Sequence, residues 1–183
     1  VADTVRPEAQ AIVRALHQRG MKTVMLTGDN PKTAQAIAER VGVGSWQAEL
    51  LPEEKLTALK DLLGQHGAVA MVGDGVNDAP ALAFATVGIA MGVAGTDTAL
   101  ETADVALMAD DLSKLPYLFD LSHQARHVIR QNIGFAILVK LLLAVGIVPG
   151  VVSLVVAVLV GDMGTTLGVT GNALRLARVR ASD

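Results

Sequence analysis

The stretch Met71-Val72-Gly73-Asp74-Gly75-Val76-Asn77-Asp78-Ala79-Pro80 decides how the remaining residues are read. The apolar run at 68–72 reads as a buried strand because it stops abruptly in glycines and acids. Glycines on both sides of Asp74 permit a sharp turn and leave its carboxylate uncovered at the strand's carboxyl end. In an open α/β sheet, ligands sit along that edge. Asp74, Asn77 and Asp78 offer two carboxylates and an amide, a donor set suited to a hard, oxygen-seeking cation such as Mg²⁺. A plainer reading has Asp78 capping the helix that Pro80 opens. Capping would account for Asp78 but not for Asp74, so a metal site is expected.

Upstream, Ala9, Ile12, Val13 and Leu16 recur at helical spacing between Pro7 and Gly20. Residues 21–26 read as a strand closed by Thr27-Gly28-Asp29-Asn30. Asn30 suits the cap of a second helix, with Pro31 in its first turn and Gly42 as its stop. Ala34, Ile37, Ala38 and Val41 would share one face of that helix. After a short segment at 46–50, Pro52 opens a third helix with Leu56, Leu59 and Leu63 inward. Beyond the central strand come a short helix from Pro80, a strand at 87–91, a helical turn at 96–102 and a last strand at 105–108. Strands alternating with helices predict a mostly parallel α/β sheet with right-handed crossovers.

That topology puts Thr27 and Asp74 at the ends of two strands, over the same sheet edge. A hydroxyl and backbone N–H groups at a helix start suit a phosphate oxygen. By itself, Thr27-Gly28-Asp29 would be a plain strand-to-helix turn; beside Asp74, phosphate binding is the stronger reading. Lys55 lies in the first turns of its helix, where it opposes the helix dipole, so its placement needs another reason.

Composition divides the chain. Its 183 residues carry a net charge of −3, which points to no nucleic-acid partner. Mean hydropathy is +0.46, high for a soluble domain, and the excess is local. Between 133 and 160 the only charge is Lys140. A soluble α/β part at 1–120 and a membrane part at 121–183 are therefore expected. With no cysteine, disulfides, thiolate metal sites and cysteine nucleophiles are excluded within this sequence. The polar start at Val1, without a signal peptide, is expected of a piece cut from a longer protein.

The run from Gly73 to Pro80 resembles the hinge motif of P-type ATPases, whose phosphorylation domain has a haloacid-dehalogenase-like fold. The resemblance implies that Asp74 holds Mg²⁺ beside a phosphorylated aspartate, with Asn77 and Asp78 completing the loop. Thr27-Gly28-Asp29 is similar to that family's Thr-Gly-Asp motif. Pro52-Glu53-Glu54-Lys55 is similar to the segment whose lysine steadies phosphate and nucleophile charge. The family's phosphorylated Asp-Lys-Thr-Gly run is missing: the lysines at 22, 32, 55, 60, 114 and 140 never follow an aspartate. No nucleotide-binding insert, Thr-Gly-Glu loop or Cys-Pro-Cys motif occurs either. The resemblance thus implies the second half of a phosphorylation domain followed by the last two transmembrane helices. Nucleotide-binding, actuator and other transmembrane segments of the same pump would be its partners. They would bind most of the ATP, and this stretch alone is expected to be inactive.

In the membrane part, Arg126, His127 and Arg130 precede the first span, and Arg175, Arg178 and Arg180 follow the second. Pro149-Gly150 between them is uncharged, so both outer ends are predicted cytoplasmic and the chain an integral protein of the plasma (bacterial inner) membrane. At a rise of ~1.5 Å per residue, Lys140 lies ~12 Å past Asn132 and Asp162 ~18 Å past Gly150. Both depths fall near the middle of a hydrocarbon core ~30 Å thick. Ionisable residues there are functional by default, and each is the other's obvious partner. A purely structural pair is the plainer alternative, but desolvation offsets most of its attraction.

Gly161-Asp162-Met163-Gly164-Thr165-Thr166, followed by Asn172-Ala173-Leu174-Arg175-Leu176, resembles the last helix of heavy-metal P-type ATPases. An aspartate there with a lysine in the preceding helix implies the Zn²⁺/Cd²⁺/Pb²⁺-exporting subfamily. Asp162 would be a ligand of the transported ion and Lys140 its counter-ion. Gly161 and Met163 depart from the usual pattern, and a thioether keeps copper open as an alternative. A rival of another class is a membrane-anchored regulatory pseudo-phosphatase domain, which would explain the missing nucleophile. It gives no reason for keeping Thr27, Lys55, Asp74 and Asp78.

Overall fold

The computed structural model describes residues 5–74, 78–91, 101–107 and 111–178. They form two compact units, Val1–Leu115 and Pro116–Asp183.

In the first unit α1 (Ala9–Gln18) precedes β1 (Val24–Leu26), α2 (Pro31–Val41) and β2 (Ser45–Gln47). Then come α3 (Pro52–His66), β3 (Ala70–Gly73), α4 (Ala79–Phe84), β4 (Val87–Met91) and β5 (Val105–Leu107). The boundaries follow local chemistry. Asn30 accepts the Thr33 N–H at 3.0 Å to cap α2, Pro31 fills its first turn, and Gly42 stops it at φ +83°. At the start of α3 the Glu54 carboxylate reaches back to the Leu51 N–H at 2.8 Å. Strands at 21–26 and 68–72 were expected; β1 is shorter and β3 begins later and takes in Gly73. Of the turn expected at 96–102 only Glu101 and Thr102, both helical, are described, and Met108 also lies outside the described residues.

Every strand pairing is parallel, but the sheet is in two pieces: β1 with β2, and β3-β4-β5. No ladder joins β1 to β3 among the described residues. The core beneath the larger piece is Leu59, Met71, Ala81 and Leu82, with Val69 and Ala85 packed against it. Fully burying a leucine contributes ~1.5–3 kcal/mol, so Leu59 and Leu82 weigh most in holding α3 and α4 to β3. Gly88 is obligatory at the α4–β4 contact: a Cβ there would lie 2.5 Å from the Leu82 carbonyl oxygen. The Ser113 hydroxyl and then its N–H donate to Asp111, holding that carboxyl below its ordinary value just ahead of the next helix.

That helix, α5 (Lys114–Ile147), is continuous for 34 residues, its basic first half running into an apolar second half. A turn at 148–153 leads to α6 (Leu154–Leu159), a π-helical turn (Val160–Gly164), α7 (Thr165–Ala173) and a 3₁₀ turn (Leu174–Arg178). Lys114–Ile147 and Leu154–Ala177 are each long and apolar enough to cross a membrane, with little of their apolar windows buried. Val148 and Val151, at the turn, are 88% and 80% exposed.

The two long apolar helices meet through small residues. Ala157, Gly161 and Thr165 are buried along one stripe that continues through Gly168 and Asn172. Gly161 lies against Leu143, and Gly168 lies so close to Phe135 that a Cβ would sit 2.9 Å from the ring. Small residues let helix backbones approach closely, which is how spans associate where no hydrophobic force separates helix from solvent.

Candidate functional site

The site in the first unit is assembled from three chain segments. Thr27 follows β1, and its backbone is clamped to the segment after β2. The Thr27 N–H donates to the Gln47 carbonyl at 3.0 Å, and the Leu50 N–H to the Thr27 carbonyl at 3.1 Å. Two residues past Thr27, the Glu49 N–H donates to the Asp29 carbonyl at 2.8 Å, with Glu49 itself in the left-handed region at φ 56°. Since 47–51 runs directly into α3, the Thr27 turn and the first turns of α3 are tied through the backbone. Within the turn the Thr27 hydroxyl donates to an Asp29 carboxylate oxygen at 3.0 Å and accepts the Asp29 N–H at 3.1 Å. That holds the hydroxyl in one orientation at the end of the strand.

From α3, the Lys55 ammonium donates to Asp78 Oδ1 at 2.8 Å. The two side chains are only 16% and 13% exposed, so this pair is sheltered, unlike an ordinary surface salt bridge. The pair explains why a lysine is tolerated near a helix start: its partner is a carboxylate from another element. It also corrects the expectation that Asp78 caps α4. Asp78 occupies the cap position but makes no side-chain cap bond, because its carboxylate is turned toward Lys55. Gly73 makes room for this: a Cβ there would lie 2.9 Å from Asp78 Oδ2.

Asp74 follows β3 directly and is exposed at its carboxyl end, as the glycine flanks predict. Gly75 and Asn77 lie outside the described residues. Lys55, Asp78 and the Gly73-Asp74 strand end are thus brought together, and Thr27 is joined to Asp29 within its own turn. Among the described residues no group of three or more His, Cys, Asp or Glu side chains converges as a metal cage. A site of one or two carboxylates still fits Mg²⁺, which dehydrates reluctantly and completes its shell with water and phosphate oxygens.

In the second unit Lys140 and Asp162 do not form the expected ion pair. Both side chains are exposed and no salt bridge joins them. The reason is rotational. Gly161 is turned onto Leu143, so Asp162, the next residue, projects roughly a quarter turn away from α5. Their depths do match: with Leu143 opposite Gly161 and Phe135 opposite Gly168, Lys140 stands ~3 Å along the axis from Asp162.

Three features here escaped the sequence reading. Asp162 lies inside the π-helical turn, where the Thr166 hydroxyl donates to its carbonyl at 2.6 Å. Such turns are frequent at functional positions, but no residue pattern announces one. The Thr165 hydroxyl is buried without a hydrogen-bond partner. An amide pair, Asn172 Nδ2 to Asn132 Oδ1 at 2.9 Å, crosses between the spans. The stripe of small residues at 157, 161, 165 and 168 was a legible signal for the packing.

Comparison with known proteins bears on both units. A family profile, haloacid dehalogenase-like hydrolase, matches residues 1–86. A probable cadmium-transporting ATPase of Listeria monocytogenes is 55% identical over 98% of this chain. A manganese-exporting P-type ATPase of Mycobacterium tuberculosis is 48% identical over 97% of it. The crystal structure of a zinc-transporting PIB-type ATPase in an E2·Pi state superposes with a TM-score of 0.88 at 48% identity, over 95% of this chain and 28% of that one. The chain spans about a quarter of the length of the curated relatives it matches: 25% of each of those named here.

Proposed function

The chain belongs to the P-type ATPases, and from that premise we propose that it is the part of a heavy-metal exporter joining the phosphoryl-transfer site to the last two membrane spans. The observation that carries the proposal is the sheltered Lys55–Asp78 pair beside the exposed Asp74. An ammonium has three donors, so the Asp78 bond leaves Lys55 two for phosphoryl oxygens. Asp78 positions Lys55; Thr27 would turn its single hydroxyl proton from Asp29 to an oxygen of the same phosphate. Gly28 keeps the turn close to the Leu50 carbonyl. Asp74 would hold Mg²⁺, with Asp78 and Asn77 supporting that loop. When bound, the ion supplies neutralisation of the phosphoryl charge. The attacked phosphate is that of ATP; most of the ATP site and the nucleophile would come from elsewhere in the protein, since this sequence has no Asp-Lys-Thr-Gly run.

The membrane part, in this proposal, is 121–183. Arginines on its outer flanks support a cytoplasmic phosphoryl site by the positive-inside rule. Asp162 is the only carboxylate between 121 and 178 and ligates the cargo, Zn²⁺ or Cd²⁺ by preference. Lys140, at the same depth, is the counter-ion available when the cargo has left.

The direct test is Asp74→Asn in the full-length protein. An amide is a poorer Mg²⁺ ligand than a carboxylate, so phosphoenzyme formed from ATP should fall to background. Mg²⁺-dependent phosphorylation at the wild-type level would show that the cation lies elsewhere.

A further inference from the structure

Where α5 and the 3₁₀ turn lie side by side, polar side chains form a directional chain. Arg175 Nη1 donates to Asn172 Oδ1 at 3.1 Å, and Asn172 Nδ2 donates to Gln131 Oε1 at 3.3 Å. The Gln131 amide nitrogen in turn lies 3.0 Å from His127 Nε2. An amide NH₂ can only donate, so His127 Nε2 is the acceptor and its other ring nitrogen carries the proton. Beside this chain is a cavity of about 300 Å³, lined by His123, His127, Gln131 and Arg175 with Val128 and Leu176.

Its chemistry favours one sign of charge. Among the described residues no carboxylate lines the cavity, while a guanidinium does, fixed by Asn172 with most of its N–H donors unused there. The lone pair of His127 Nε2 that a metal ion would need is already engaged by Gln131. A cation would meet Arg175; an anion would meet donors. Val128 and Leu176 give the cavity an apolar side.

We propose that this cavity binds a phosphate-bearing anion, and that the apolar side selects one carried by a lipid headgroup at the membrane boundary. Basic pockets between spans recognise headgroups in this way, the fork of an arginine matching two phosphate oxygens. The inference rests on reading the two long helices as membrane spans, and is independent of phosphoryl transfer.

The test uses the full-length protein in detergent, without ATP or transported metal, so it can fail while the proposed function stands. Native mass spectrometry compares retained phosphatidylglycerol with phosphatidylcholine at equal concentration. Wild type should prefer phosphatidylglycerol, and Arg175→Gln should lower that preference about five-fold. Arg175→Lys, which keeps the charge but not the fork, should fall between them, guarding against a fold defect in the first variant. Added inorganic phosphate should displace little lipid; complete displacement at equal concentration would assign the cavity to free phosphate and overturn the lipid arm. An unchanged preference in Arg175→Gln would overturn the proposal. So would equal retention of the two lipids by the wild type.

Discussion

The two units handle charge in opposite ways. In the first, Lys55 and Asp78 come from segments 23 residues apart, meet at 2.8 Å and are sheltered together. In the second, Lys140 and Asp162 lie at nearly the same depth and are not paired. What joins the spans instead is a stripe of small residues and an asparagine pair. The contrast teaches that a loop site is organised by its own chain. A site on two spans is organised by packing, which leaves its ionisable groups on faces turned away from the contact.

Breaking the first arrangement should have the largest effect. Lys55→Met removes the charge proposed to face the phosphate and strands Asp78 without its partner. Phosphoenzyme formation by the full-length protein should drop about 10²–10³-fold, as for loss of one preorganised electrostatic donor. A drop under ten-fold would mean that the pair is structural only. Gly88→Ala strikes the packing beneath, since the new methyl would press on the Leu82 carbonyl. It should cost about 3 kcal/mol, read as a lower unfolding midpoint of the α/β part in chemical denaturation.

The membrane contact should be softer. Gly168→Leu must displace the Phe135 ring, a flexible side chain, at about 1–3 kcal/mol. Retained thermal stability in that variant would show that the spans do not depend on close approach. Asn172→Ala should cost only ~0.6 kcal/mol, the average for a hydrogen bond between spans, visible as a small shift of midpoint.

Legibility in the sequence differed between the units for physical reasons. Caps, glycine stops and apolar spacing are local, so α2, α3 and the strand before Asp74 were readable from residues such as Asn30, Gly42 and Gly73. The Lys55–Asp78 pair was not, because it depends on how α3 and α4 pack on β3. The split of the sheet is likewise a tertiary fact. In the spans, hydropathy located the helices and the depth of both charges. Rotation about each axis was not legible: it is set by Gly161 against Leu143 and by a π-helical turn that composition does not encode.

The central claim is that the Asp74 loop and Asp162 serve one reaction from separate units. Phosphorylation of the full-length protein, measured from ATP with Zn²⁺ and from inorganic phosphate without it, tests this most directly. Asp74→Asn should lose both, since each needs the Mg²⁺ ligand. Asp162→Ala should lose the Zn²⁺-dependent reaction with ATP and keep the reaction with inorganic phosphate, which requires no cargo. If Asp162→Ala is phosphorylated from ATP in a Zn²⁺-dependent way like wild type, the two sites are not coupled and the account is wrong.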